Sequence, residues 1–147
     1  MNVERYAKIL TANDTGTTRS HQAGIHIPKG QRDLIAMLPP LDAREKNPDR
    51  EIDLIDEEGA VWTVRYIWYN NRLHDAGGTR DEYRVTRIRE LMRSRSVRPG
   101  DEMRIWRAED GEYRVEFIPD SVPAADDDAA TVVAASRIRL TGWRRVH

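Results

Sequence analysis

Histidines, carboxylates and lysines are the residues of this chain that could cut or move a phosphate, and their spacing argues against the commonest ways of doing so. A metal-dependent nuclease needs two acids to hold the ion and a lysine placed as in [DE]-x-K to assist the attacking water. The lysines are Lys8, Lys29 and Lys46, and Tyr6, Ile27 and Arg44 stand two positions before them, so the motif is absent. Metal-independent cleavage through H-x-K fails in the same way, because Ala23, Pro28 and Ala76 follow two positions after His21, His26 and His74. His21 and His26 have no cysteine beside them, and zinc would need ligands that the spacing does not offer. Neither a P-loop nor a dinucleotide fingerprint occurs, so no metal and no cofactor is expected. Asp81 and Glu82 are adjacent, and adjacent residues of a strand face opposite ways, which disfavours a shared acid–base site.

What those residue types suit better is reading. A carboxylate among basic groups can accept a hydrogen bond from cytosine N4, and an arginine fork can take guanine O6 and N7. Arginine supplies 21 of the 24 basic residues. Residues 79–98 hold Arg80, Arg84, Arg87, Arg89, Arg93, Arg95 and Arg98 against Asp81, Glu82 and Glu90, a local balance of +4. The formal net charge of -1 conceals this, because residues 119–135 carry Asp120, Asp126, Asp127 and Asp128 with no base and leave +3 on the rest. Local fields steer a polyanion more than net charge does. A second polar tract, residues 11–22, strings together Asn13, Asp14, Thr15, Thr17, Thr18, Arg19, Ser20, His21 and Gln22. The plain alternatives are that Asn-Asp-Thr-Gly is turn chemistry, that arginine bias reflects a GC-rich genome, and that each strand charge makes a weak surface ion pair.

The elements that must position these groups are mostly strands. Residues 4–10 and 23–27 read as the first two, the second ended by Pro28, and the 11–22 tract bridges them. In residues 31–38, Leu34, Ile35 and Leu38 share one helical face before Pro39-Pro40 stops the helix. Residues 51–56 and 60–69 form a hairpin about Glu58-Gly59, its second member aromatic and β-branched throughout. Residues 70–80 break the pattern with two Asn and two Gly, and 81–88 resume it, so a second polar arm also bridges two strands. Residues 89–93 suit a short helix, 102–107 and 112–118 a hairpin about Asp110-Gly111, and 136–144 a last strand after the acidic loop at 119–135.

That makes seven or eight antiparallel strands with one or two short helices, a mostly β fold. So many short strands would leave costly open edges unless the sheet curls into a closed or half-closed barrel. The two arms could then emerge from the same side, which the pattern alone does not decide. At 147 residues one domain over 1–147 is expected. The absence of cysteine suits a reducing cytoplasm, the expected location, and the sequence shows neither a signal peptide nor a membrane span.

Two motifs then carry a likeness. The first arm with its flanks, ANDTG followed by SHQAGIHIPK, resembles the N-terminal effector-binding domain of EcoRII-type restriction endonucleases and the specificity domain of the BfiI-type enzyme. GTRDEYRVT, after an aromatic strand, is similar to that family's other recognition segment. The resemblance implies a DNA-binding pseudobarrel, similar also to the B3-type domains of plant transcription factors, whose two arms grip the major groove of double-stranded DNA. It places Ser20, His21, Gln22 and His26 near the DNA and makes Arg80, Glu82 and Arg84 base-edge readers. Arg19, Arg72, His74 and Asp81 join them on chemistry and position alone. The implied target is a CCWGG-like site. Relatives fuse the domain to a nuclease and these residues contain none, so the chain is expected to be non-catalytic by itself, with a nuclease supplied by a longer chain or a partner. Two other functions remain open: a stand-alone transcription-regulator-like protein, and a barrel that binds a single strand or a protein, using aromatics near Trp62 to Tyr69 as a stacking platform.

Overall fold

In this computed structural model the described residues are 3–16, 24–120 and 142–146. Eight strands form one sheet: β1 Arg5–Ile9, β2 Ile25–Ile27, β3 Asp49–Ile55, β4 Val61–Tyr69, β5 Glu82–Thr86, β6 Glu102–Arg107, β7 Tyr113–Ile118 and β8 Trp143–Val146. Their alternation dictates which side chains turn inward. On the β2–β5–β4 side, the register aligns Ile25, Val85 and Tyr66 in one buried row. On the β1–β6–β7 side it aligns Tyr6, Ile105 and Val115. Three short helices, α1 Arg32–Met37, α2 Asn71–His74 and α3 Arg89–Ser94, accompany the sheet. Leu34 and Leu38 at α1, and Leu91 and Met92 of α3, join the same apolar cluster.

The strand order is β2-β5-β4-β3-β7-β6-β1-β8, a nearly closed barrel. All neighbours are antiparallel except β3 and β7, which run parallel and pair only at Leu54–Tyr113 and Ile55–Arg114. That departs from the all-antiparallel expectation. A parallel pair needs a long crossover, and the chain between β3 and β7 supplies one through β4, α2, β5, α3 and β6. A side chain joins the outer strands β2 and β8, where Trp143 Nε1 donates to His26 O at 3.0 Å, and Gln31, at the start of α1, adds a second tie by donating its Nε2 to Trp143 O at 3.1 Å.

The expected hairpins and the first helix are all present within a residue or two. The helices number three where one or two were expected, because residues 71–74 of the second arm wind into a turn of helix. The last strand begins at Trp143, and residues 136–141 of its expected range lie outside the described residues, as does most of the acidic loop.

Candidate nucleic-acid interface

The first polar tract begins with a turn that its own side chains build. Thr11 N donates to Asp14 Oδ2 at 3.0 Å, and Asp14 N donates back to Thr11 Oγ1 at 3.1 Å. Lys8 Nζ, at the end of β1, reaches the same Asp14 oxygen at 2.7 Å, and both side chains are nearly covered, 11% and 6% exposed. Asn-Asp-Thr-Gly is thus turn chemistry that anchors the start of the arm. Arg19, Ser20, His21 and Gln22 lie outside the described residues. The chain re-enters β2 through Gly24, whose φ is +89° and where a Cβ would stand 2.2 Å from Val85 O, so only glycine fits.

β2 and β5 make a short ribbon, with His26 directly opposite Arg84 and Ile27 opposite Tyr83. Gly24 lies at the Val85 end of this ladder and Asp81 at the Ile27 end, so the two polar arms leave the ribbon from opposite ends. His26 is exposed on its outer face. Partial burial and the neighbouring Arg84 charge hold its imidazole below its ordinary pKa, with a smaller push from Lys8 and opposing pulls from Glu82 and Asp14.

Arg80, Glu82 and Arg84 come together as one constellation. Glu82 Oε1 accepts from Arg80 Nη2 at 2.6 Å and Nε at 3.1 Å, while its Oε2 accepts from Arg84 Nη2 at 3.4 Å. Burial alone would raise the Glu82 carboxyl, but these two guanidinium groups outweigh it and hold the group below the usual carboxylate range. The Arg80 guanidinium also lies over the Tyr69 ring at 3.8 Å, a cation–π contact that fixes the plane of its fork. Arg84 differs from the surface reader expected of it: its side chain is only 7% exposed, and what it does here is brace Glu82.

The second arm is tied down along its length. Asn70 and Asn47 exchange hydrogen bonds, Asn47 N to Asn70 Oδ1 at 2.7 Å and Asn70 N to Asn47 Oδ1 at 3.0 Å. Asp81 does not face outward as a reader would: its oxygens accept from Trp68 Nε1 at 2.8 Å and Lys29 Nζ at 2.7 Å, which staples the arm to β4 and to the turn after β2. Those two bonds hold its carboxyl below the usual range. Arg72 is exposed, and His74 Nε2 donates to Ala43 O at 3.0 Å.

Lys29, Trp68, Tyr69 and Asn71 were not among the expected DNA-contacting residues, although each lies in a stretch the sequence singles out: Lys29 closes SHQAGIHIPK, Trp68 and Tyr69 end the aromatic strand, and Asn71, whose Oδ1 accepts from Arg80 N at 2.8 Å, opens the second arm. The aromatics expected to form a stacking platform are engaged within the fold: Trp68 stacks on Tyr83 with ring centroids 5.0 Å apart, Tyr66 is fully buried, the Arg80 guanidinium covers a face of Tyr69, and Trp62 Nε1 donates to Asp56. Among the described residues no cluster of three acidic or histidine side chains could hold a metal, and no helix is long and apolar enough to cross a membrane.

Known proteins resemble this arrangement. Among solved structures, an Arabidopsis FUS3–DNA complex superposes with a TM-score of 0.56 at 19% identity, covering 77% of this chain and 94% of that one. The B3 domain of the UbaLAI restriction endonuclease, crystallised with cognate DNA, gives 0.55 at 18% identity, covering 98% and 87%. At these identities the likeness establishes a shared B3-like fold. By sequence, the chain is 39% identical to the type II restriction enzyme EcoRII of Escherichia coli over 56% of its own length and 20% of that enzyme. It is 30% identical to putative auxin response factor 21 of Arabidopsis thaliana over 92% of its length and 22% of that protein. The chain therefore spans about a fifth of the length of either relative. The family model described as restriction endonuclease EcoRII, N-terminal, matches residues 1–94. With that match over the β2–β5 ribbon and both polar arms, the chain belongs to the EcoRII N-terminal domain family.

Proposed function

We propose that this chain binds double-stranded DNA sequence-specifically, with residues 11–22 and 70–81 as two arms in the major groove and the β2–β5 ribbon between them. The observation that carries the reading is the Arg80–Glu82–Arg84 constellation, in which a half-exposed guanidinium is held in a fixed plane by Tyr69 and by a carboxylate that Arg84 braces. Such a fork is arranged before DNA arrives, so little side-chain freedom is lost on contact. Arg80 takes guanine O6 and N7, and the carboxylate of Glu82, with a lone pair of Oε2 left beyond the three bonds from its arginines, accepts from cytosine N4. Alternating base and acid along one strand suits adjacent C·G pairs, as in a CCWGG-like site. Arg84 and Asp81 position the readers, while Arg72 contributes charge to the attraction of the duplex and His26, held mainly neutral by burial and Arg84, offers it a hydrogen-bonding edge. In this reading the chain performs no catalysis and serves as the specificity or effector-binding part of a restriction endonuclease, whose nuclease lies elsewhere in a longer chain or in a partner. That FUS3 and the UbaLAI domain were both solved with DNA supports the reading.

The test is selection of preferred sites from random duplexes, followed by binding of Arg80→Ala to the winner and to a scrambled duplex. Loss of one bidentate pair should weaken cognate binding by ~5- to 150-fold, equivalent to ~1–3 kcal/mol, and leave scrambled binding nearly unchanged. Equal binding of both duplexes by wild type and variant alike would overturn the assignment. The similarity to an auxin response factor across 92% of the chain favours a second reading with the same chemistry, a transcription-regulator-like DNA-binding protein. A nuclease or methyltransferase gene beside this one would count against it.

A further inference from the structure

The second arm has a neck and a head, and the reading above uses only the neck. Arg72 N donates to Arg80 O at 3.0 Å and Arg80 N donates to Asn71 Oδ1 at 2.8 Å, which cinches residues 71–72 against 80. Gly78 packs so closely inside this neck that a Cβ would stand 2.1 Å from Asn71 O. Residues 73–77 form the head. It is tied back to the preceding loop by His74 Nε2 to Ala43 O and by the Lys46–Asp75 ion pair at 2.7 Å.

On that fixed head Leu73 is 54% exposed. Val61, 59% exposed, is the other large apolar side chain so displayed among the described residues, and it stands at the far end of β4, eight residues or about 27 Å of strand from Tyr69. A single exposed leucine on an ordinary surface needs no explanation. Leu73 differs in its setting. It is carried by one turn of helix, α2, between the exposed side chains of Arg72 and His74, and its loop is closed by hydrogen bonds to the backbone of Arg80. Cationic and polar neighbours on such a head meet phosphates, and the apolar group between them meets whatever apolar surface the groove offers. The base edges of the major groove display one such group, the C5-methyl of thymine.

We propose that Leu73 is a specificity-determining residue that reads a thymine methyl, adding discrimination at an A·T pair next to the C·G pair read by Arg80. This rests on the DNA-binding reading and extends it to a residue whose chemistry is neither charge nor hydrogen bonding.

The experiment uses the duplex selected above, with each thymine replaced in turn by deoxyuridine, which removes only the methyl. Wild type should bind about fourfold more weakly at one such position, the transfer free energy of a single methyl group. Leu73→Ala should bind the unmodified duplex more weakly by a similar factor and be indifferent to that methyl, while Leu73→Met retains the sensitivity. Arg80→Ala, weakened overall, should still distinguish thymine from deoxyuridine there. The proposal is overturned if no methyl matters to wild type, or if Leu73→Ala keeps the full methyl effect. Because Leu73 is exposed, unchanged thermal melting of Leu73→Ala checks that folding is not the cause. A wild type that prefers no duplex over scrambled DNA brings down the DNA-binding reading itself and this proposal with it, an outcome distinct from intact, methyl-blind binding.

Discussion

Replacing Asp14 by alanine should cost far more than removing a surface charge. The Lys8 ammonium is 11% exposed and its Asp14 counter-ion 6% exposed, so the variant strands a cation at the mouth of the barrel. The same carboxylate also accepts the Thr11 N–H, and that donor loses its partner too. Breaking one side of a buried pair costs ~3–5 kcal/mol, and the lower end applies here because Lys8 ends near the surface, where its flexible stem can turn toward water. About 3 kcal/mol in a domain of this length is a fall in Tm of roughly 10 °C. Urea and thermal denaturation followed by tryptophan fluorescence read both quantities. The paired replacement Lys8→Met with Asp14→Leu removes both charges and should recover most of the loss, since two apolar groups leave no stranded ion. A single-variant loss below ~1 kcal/mol, the range of exposed pairs, would refute the reasoning. So would a double variant as unstable as the single one. This turn opens the first polar tract, so affinity for the selected duplex should also fall at temperatures where every variant remains folded.

Two further substitutions probe the body of the barrel and the staple of the second arm. Tyr66 is fully buried and its hydroxyl has no hydrogen-bond partner among the described residues, so Tyr66→Phe should leave stability unchanged or raise it by up to ~1 kcal/mol in urea denaturation. A clear loss would mean that the hydroxyl is bonded after all. Asp81→Asn should lower stability at neutral pH by ~1–2 kcal/mol, because a charged acceptor of two hydrogen bonds becomes neutral, with the exposed side of Lys29 limiting the effect. The folded-state pKa of Asp81 is depressed by the Lys29 and Trp68 bonds, so its contribution is full above the unfolded value of ~3.9 and disappears as pH falls through the lower folded value. Urea midpoints taken down that range should converge for wild type and variant, and a gap that stays constant into acid contradicts the linkage.

Much of the scaffold was legible because strand periodicity is local. Alternation in residues 102–118 and 51–69 marked both hairpins, and the spacing of Leu34, Ile35 and Leu38 marked α1. The same alternation put Arg80, Glu82 and Arg84 near one another, since side chains two apart on a strand share a face. What they do to each other was not legible. Arg84 reads in sequence like any exposed strand charge, yet it is covered and supports its neighbour. Asp81 reads like a member of a basic arm, yet Lys29, 52 positions earlier, and Trp68 occupy both its oxygens.

By itself the sequence determined the strands, the turn chemistry, the position of the two polar arms and, through ANDTG, SHQAGIHIPK and GTRDEYRVT, the family. Each of these depends on neighbours a few positions apart, where backbone geometry fixes which side chains can meet. Only the tertiary structure decided the parallel β3–β7 pairing, the side-chain bridge from Trp143 to His26 across 117 positions, and the division of the second arm's residues into the exposed Arg80 fork and the covered groups that hold it and the arm in place. Those depend on which distant strands become neighbours as the sheet curls, and any one of many arginines and carboxylates could have paired until that closure brought a particular few within hydrogen-bonding distance.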